Sequence, residues 1–110
     1  MPKVRWRIEE HLTAAGQSLI RVFIGGLSSD DRAEAAALIK ALEEWGNTLG
    51  MPHSKSLGHG LFELRGRQVR IFYTFLADRR IVLLDGVLKK RSRVPTAVIQ
   101  RMRKLQSEVS

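Results

Sequence analysis

The chain has 110 residues, 44% of them hydrophobic, with nineteen Lys/Arg against eleven Asp/Glu and no cysteine. That length supports one hydrophobic core and a single domain over residues 1–110, and the composition argues against disorder. Missing cysteines exclude disulfides, thiolate metal sites and cysteine nucleophiles; with no signal-peptide core and no apolar run near the roughly 18 residues of a membrane span, a soluble cytoplasmic protein is expected.

The net charge of +8 is unevenly placed. Residues 1–50 hold six Lys/Arg against seven Asp/Glu, a net of −1, and residues 51–110 hold thirteen against four, a net of +9. Such asymmetry points to nucleic acid or another polyanion; the plainer alternative is a solvated basic surface kept for solubility.

Val4, Trp6 and Ile8 alternate with Arg5, Arg7 and Glu9, the pattern of a first strand. Thr13 to Gly16 makes a loop. Residues 17–26, QSLIRVFIGG, fit either a strand or a brief helix. Ser28-Ser29-Asp30-Asp31 opens a helix with hydroxyl caps and first-turn acids, carrying Leu38, Ile39, Leu42 and Trp45 on one face and stopped by Gly46-Asn47. Residues 46–60 are rich in turn formers and predict a loop. Leu61–Arg65 and Val69–Leu76 predict a hairpin around Gly66-Arg67-Gln68, and Ala77 to Arg80 turns the chain into a strand over Ile81–Leu88 with a bulge at Asp85-Gly86. Pro95 suits the first turn of a closing helix with Val98, Ile99, Met102 and Leu105 as its apolar positions. This order defines an α+β fold with helices packed on one face of an antiparallel sheet. Trp6 and Trp45 read as core.

The chemistry lies between Gly58 and Lys90. Arg65 and Arg70 interrupt strands where a plain structural sheet prefers valine, and a cation is costly to bury unless it meets an anion. A surface holding phosphate is the leading reading. No metal-ligand spacing joins His11, His53 and His59, and neither HExxH, EF-hand nor Walker sequence is present, so no metal or cofactor is expected. The glycines at 58–60 lead into a strand, not a helix N-terminus, and no Ser-His-Asp order is legible.

Arginine, lysine and tyrosine suit one reaction: metal-free RNA cleavage by the substrate's own 2′-hydroxyl. Arg65 and Arg70 would clamp the phosphate, Lys89 or Lys90 would serve as base among other cations, and Tyr73 would stack on a base or donate a proton. His59 is a further candidate acid. Each has a plainer reading: Tyr73 as core, Arg65 paired with Glu63, Lys89-Lys90-Arg91 as a solvated run, and His59 as a turn residue.

GHGLFELRG at 58–66, VRIFYTF at 69–75 and IVLLDGVLKK at 81–90 resemble the RelE/ParE toxin superfamily, and within it the HigB-like subgroup that includes phage-derived toxins. The shared pattern is Leu-Gly-x-Gly-Leu-x-Glu-Leu-Arg, then Arg-x-x-Tyr, then a Val-Leu-Leu strand and a Pro-led helix, and it covers residues 55–96. SLIRVFIGGL at 18–27 is similar to the family's short first helix, which resolves that segment as helical. The resemblance implies a small RelE-like domain with two N-terminal helices on one face of the sheet and a C-terminal helix. It also implies the toxin of a type II toxin–antitoxin system: a ribosome-dependent mRNA endonuclease, or alternatively a ParE-like gyrase inhibitor or an inactive relic acting as co-repressor. Expected partners are the ribosome with its mRNA and a cognate helix-turn-helix antitoxin, through which alone operator DNA is reached. The residues carried over are Arg65, Arg70, Tyr73, Lys89 and Lys90 for catalysis, and Arg67, Arg91, Arg93, Arg101, Arg103 and Lys104 for RNA contact. Val69 stands where relatives often carry tyrosine, and no aromatic or histidine follows Phe75, so the resemblance names no acid.

Overall fold

The computed structural model describes residues 5–89 and 93–109. The elements are β1 (Arg7–Glu10), α1 (Leu19–Gly25), α2 (Ser29–Trp45), β2 (Ser54–Gly58), β3 (Leu61–Arg65), β4 (Val69–Leu76), β5 (Arg80–Leu88) and α3 (Thr96–Ser107), with a short 3-10 turn at Gly46–Thr48. The strands form one sheet in the order β1-β5-β4-β3-β2.

The β4 and β5 sequences are apolar nearly throughout instead of alternating, which requires cover on both faces of the sheet. Strand alternation divides the cover. Leu64, Val69, Ile71, Tyr73, Ile81 and Leu83 pack with Ile20 of α1 and Ala35, Leu38 and Leu42 of α2. Leu61, Phe72, Val82 and Leu84 pack on the other face with Met102 of α3. Burial of each large side chain contributes about 1.5–3 kcal/mol. The two N-terminal helices thus share a face as expected, while α3 closes the opposite one. The expectation of all helices on one face fails because a doubly apolar β4 leaves a second face to bury.

α2 starts where Ser28 accepts from the Asp31 N–H at 3.2 Å, and Gly46 ends it at φ 51°. A Cβ on Gly46 would lie 2.0 Å from Trp6 Nε1, so only glycine lets the indole close over the helix end. Trp6 packs edge-on to Phe75 at 5.3 Å, as a core aromatic should. Trp45 departs from expectation. It is the last residue of α2 and is 51% exposed, because the apolar stripe meets the sheet only as far as Leu42.

Three further differences matter. β1 runs parallel to β5, with Ile8 opposite Ile81, so the sheet is mixed; Arg80 grips Glu9 with two bonds of 2.9 Å across that pair. The loop expected over 46–60 contains β2, an edge strand whose polar Ser54, Lys55 and Ser56 join the sheet through backbone pairing with β3. The bulge lies at Leu84, between the pairs Phe72–Asp85 and Tyr73–Leu83, one residue before the expected place. Gly86 is required for another reason: a Cβ there would sit 2.4 Å from the Phe23 ring of α1.

Val4, read as part of the first strand, lies outside the described residues. None of the described helices is long and apolar enough to cross a membrane.

Candidate functional site

Arg65 ends β3 and Arg70 sits second in β4, opposite each other across the 66–68 turn. Val69 and Ile71 face α2, so Arg70 points to the other side of the sheet, as do Glu63 and Arg65. There the Glu63 carboxylate lies between two guanidinium groups, 3.4 Å from Arg65 Nε and 3.8 Å from Arg70 Nε. Glu63 and Arg70 are only 4% and 6% exposed. Arg70 is anchored by its Nη1, which donates to the Gly66 carbonyl and, at 3.1 Å, to the Val69 carbonyl. Burial holds Arg70 below the ordinary guanidinium value against the pull of Glu63, but an arginine stays charged.

The two Nε donors are buried and make no hydrogen bond among the described residues, since Glu63 attracts them from beyond bonding distance. Lys89 follows β5 and fixes its backbone on the turn, donating to the Gln68 carbonyl at 2.7 Å. Desolvation first, then the Arg70 and Arg65 charges, holds its ammonium below the ordinary lysine value. Lys55, Arg65, Lys89 and Arg93 line one cavity of about 110 Å³ with Glu63. With Arg70, five cations gather around Glu63, and Glu34 is a second carboxylate close enough to act on Arg70. Such a cluster attracts an anion, and forked donors suit phosphate oxygens.

The other expected residues separate from this group. Tyr73 is three positions beyond Arg70 and so faces the opposite side, buried against α1 and α2, its hydroxyl hydrogen-bonded to Ser54 Oγ. Burial raises its pKa further above the catalytic range, so it is a core tyrosine. His59 sits at φ 53° in the Gly58–Gly60 turn, at the end of β3 remote from Arg65. Arg101 bonds Asp85 at 2.6 Å, and Arg103 clips α3 to β2 by donating to the Leu57 and Gly58 carbonyls at 2.7 and 3.1 Å. Both are therefore engaged within the fold. Arg67 and Lys104 are exposed. Lys90 and Arg91 lie outside the described residues.

Sequence reasoning missed two members. Lys55 was hidden inside an apparent loop, yet β2 sets it opposite Glu63. Glu34 of α2 accepts the Arg67 N–H with both carboxylate oxygens at 3.0 and 3.1 Å, holding the turn between the two arginines. Nothing local in the sequence signals that contact across 33 positions.

A small α+β domain with a cationic cluster at one end of a five-stranded sheet is a fold built to present charge. Its family is clear: the phage-derived protein Gp49-like family matches residues 22–107, and the chain belongs to it. This bears out the resemblance to phage-derived toxins of the RelE/HigB type. The fold is also similar to a chain of the toxin–antitoxin complex RelBE2 from Mycobacterium tuberculosis, at a TM-score of 0.58 and 16% identity, covering 78% of this chain and 100% of that one. No curated protein matches significantly.

Proposed function

We propose that this protein is the toxin of a type II toxin–antitoxin system and cleaves mRNA on the ribosome. The observation that carries the reading is the cluster of Lys55, Arg65, Arg70, Lys89 and Arg93 around Glu63, in which two buried Nε donors make no hydrogen bond among the described residues. Membership of the Gp49-like family and the fold shared with a chain of a toxin–antitoxin complex support it.

In the proposed step the 2′-oxygen attacks the adjacent phosphorus and the bond to the 5′-oxygen breaks, leaving a 2′,3′-cyclic phosphate. Lys89, its pKa held down by its neighbours, takes the 2′-hydroxyl proton in its neutral form. Arg65 and Arg70 stabilise the charge gathering on the non-bridging oxygens. The 5′-oxygen departs with the bonding pair and is protonated from solvent, since Tyr73 faces the other side of the sheet and His59 its far end. Arg93, Arg67 and Lys104 extend contact along RNA. A small antitoxin carrying a helix-turn-helix neutralises the protein and brings it to operator DNA.

Induced expression in a bacterial host tests the reading. Wild type should arrest growth, and Arg65→Ala should not, while its circular dichroism stays native. A fully toxic Arg65→Ala removes the phosphate clamp. Growth arrest with intact mRNA and relaxed plasmid DNA would instead indicate a gyrase inhibitor.

A further inference from the structure

A second cavity adjoins the cationic cluster and is not used by the chemistry above. It is a cleft of about 660 Å³ beside α2 and the β3–β4 turn, within the roughly 300–1,000 Å³ typical of ligand sites. Ala37 and Ala41, one helical turn apart, give it a low apolar floor, and Pro52 and His53 stand at its edge. Arg65, Arg67 and Arg70 form a cationic rim, with Glu34 beside them. Arg65 lines both this cleft and the cavity that holds Lys55 and Lys89. Arg70 is also among the lining residues, while its Nε is turned toward Glu63 on the other side of the sheet.

We propose that this cleft is a nucleobase subsite, seating the base next to the phosphate held by Arg65 and Arg70. The inference rests on the RNA-cleavage reading and extends it to base selection. The floor is flat because alanine methyls project little, so a planar ring can lie against it. The exposed His53 imidazole and the Arg67 guanidinium supply the two kinds of planar group on which RNA bases stack. The rim favours a ligand that carries a phosphate over a neutral apolar one. Glu34 adds discrimination. Its carboxylate only accepts hydrogen bonds, so it suits the amino groups of cytosine, adenine and guanine, whereas uracil offers it only an N3–H flanked by two carbonyls. Its place is built: a Cβ on Gly66 would lie 2.3 Å from Glu34 Oε1, so glycine there admits the carboxylate over the turn.

The experiment is a titration of the ¹⁵N-labelled full chain with inorganic phosphate and with cytidine, adenosine and uridine 3′-monophosphates. Phosphate should shift the amides of Arg65, Arg70 and Lys89. Cytidine and adenosine 3′-monophosphates should also shift Ala37, Ala41 and His53, with uridine 3′-monophosphate about tenfold weaker there. Ala37→Leu, at an exposed helical position that tolerates leucine, should abolish the added shifts and leave the phosphate response unchanged. Nucleotides that reproduce only the phosphate response overturn the base subsite and leave the phosphate site standing. Uridine binding as tight as cytidine overturns the role given to Glu34. No response to phosphate or nucleotide overturns both this proposal and the cleavage reading beneath it.

Discussion

Arg65 and Arg70 look equivalent in sequence, each an arginine in a strand, but the structure makes them unequal. Arg70 is 6% exposed, donates from Nη1 to two backbone carbonyls and faces a carboxylate that is itself 4% exposed. Arg70→Ala removes charged donors from the Gly66 and Val69 carbonyls, worth about 1.5–3 kcal/mol for a bond to a charged group. It also leaves Glu63 with Arg65 at 3.4 Å and the other cations only across the adjoining cavity, and breaking a buried pair costs roughly 3–5 kcal/mol where the remaining charge stays fully buried. Water can relieve part of that through the adjoining cavities, so a total near 3 kcal/mol is expected. Arg65 has a side chain 25% exposed and a longer-than-bonding contact with Glu63, so Arg65→Ala should cost about 1 kcal/mol or less. Urea unfolding of wild type and both variants measures the difference directly. Equal losses, or a loss below about 1 kcal/mol for Arg70→Ala, would refute the claim that Arg70 is a buried anchor. Arg65→Ala is therefore the cleaner functional variant, since loss of toxicity in Arg70→Ala is confounded with loss of stability.

Other consequences reach beyond that pair. Gly86→Ala places a methyl against the Phe23 ring and should destabilise by about 1–3 kcal/mol in thermal unfolding; adding Phe23→Ala should recover part of the strain and show non-additivity. Lys89 should titrate below the ordinary lysine value by NMR of its Cε resonance, and Arg65→Ala should raise it by removing one repelling charge. Because its folded value is the lower one, the unfolded chain binds more protons between that value and the ordinary lysine range, so Lys89 makes stability rise with pH through that window. Glu10, bonded to Arg21 first and also to Ser18, has a lowered pKa. Its stabilisation is present above the ordinary glutamate value and is lost as pH falls through the lower folded one, so Glu10→Gln should flatten the acid limb of the unfolding curve.

Much of this fold was legible in the order of residues. The β3–β4 hairpin and β5 stand out because apolar runs alternate with tight polar turns, and α2 because Ser28, two acids and Gly46 mark both ends. β2 was not, since an edge strand joined by its backbone needs no apolar stripe, and Ser54-Lys55-Ser56 between glycines reads as a loop. The pairing of Arg65 with Arg70 follows from a short turn between two strands. The exclusion of Tyr73 was legible too, because an odd spacing from Arg70 on one strand puts the side chains on opposite faces. Arg101 and Arg103 could not be sorted that way. Their partners, Asp85 and the carbonyls of β2, meet them only after α3 has folded back over the sheet.

The central claim is that the Arg65, Arg70 and Lys89 cluster cuts RNA on the ribosome. A reconstituted translation reaction programmed with one defined mRNA, read by primer extension with and without the protein, tests it most directly. The account predicts cuts in register with codons, present only with ribosomes and absent with Arg65→Ala. Intact mRNA in the presence of folded wild-type protein would contradict it.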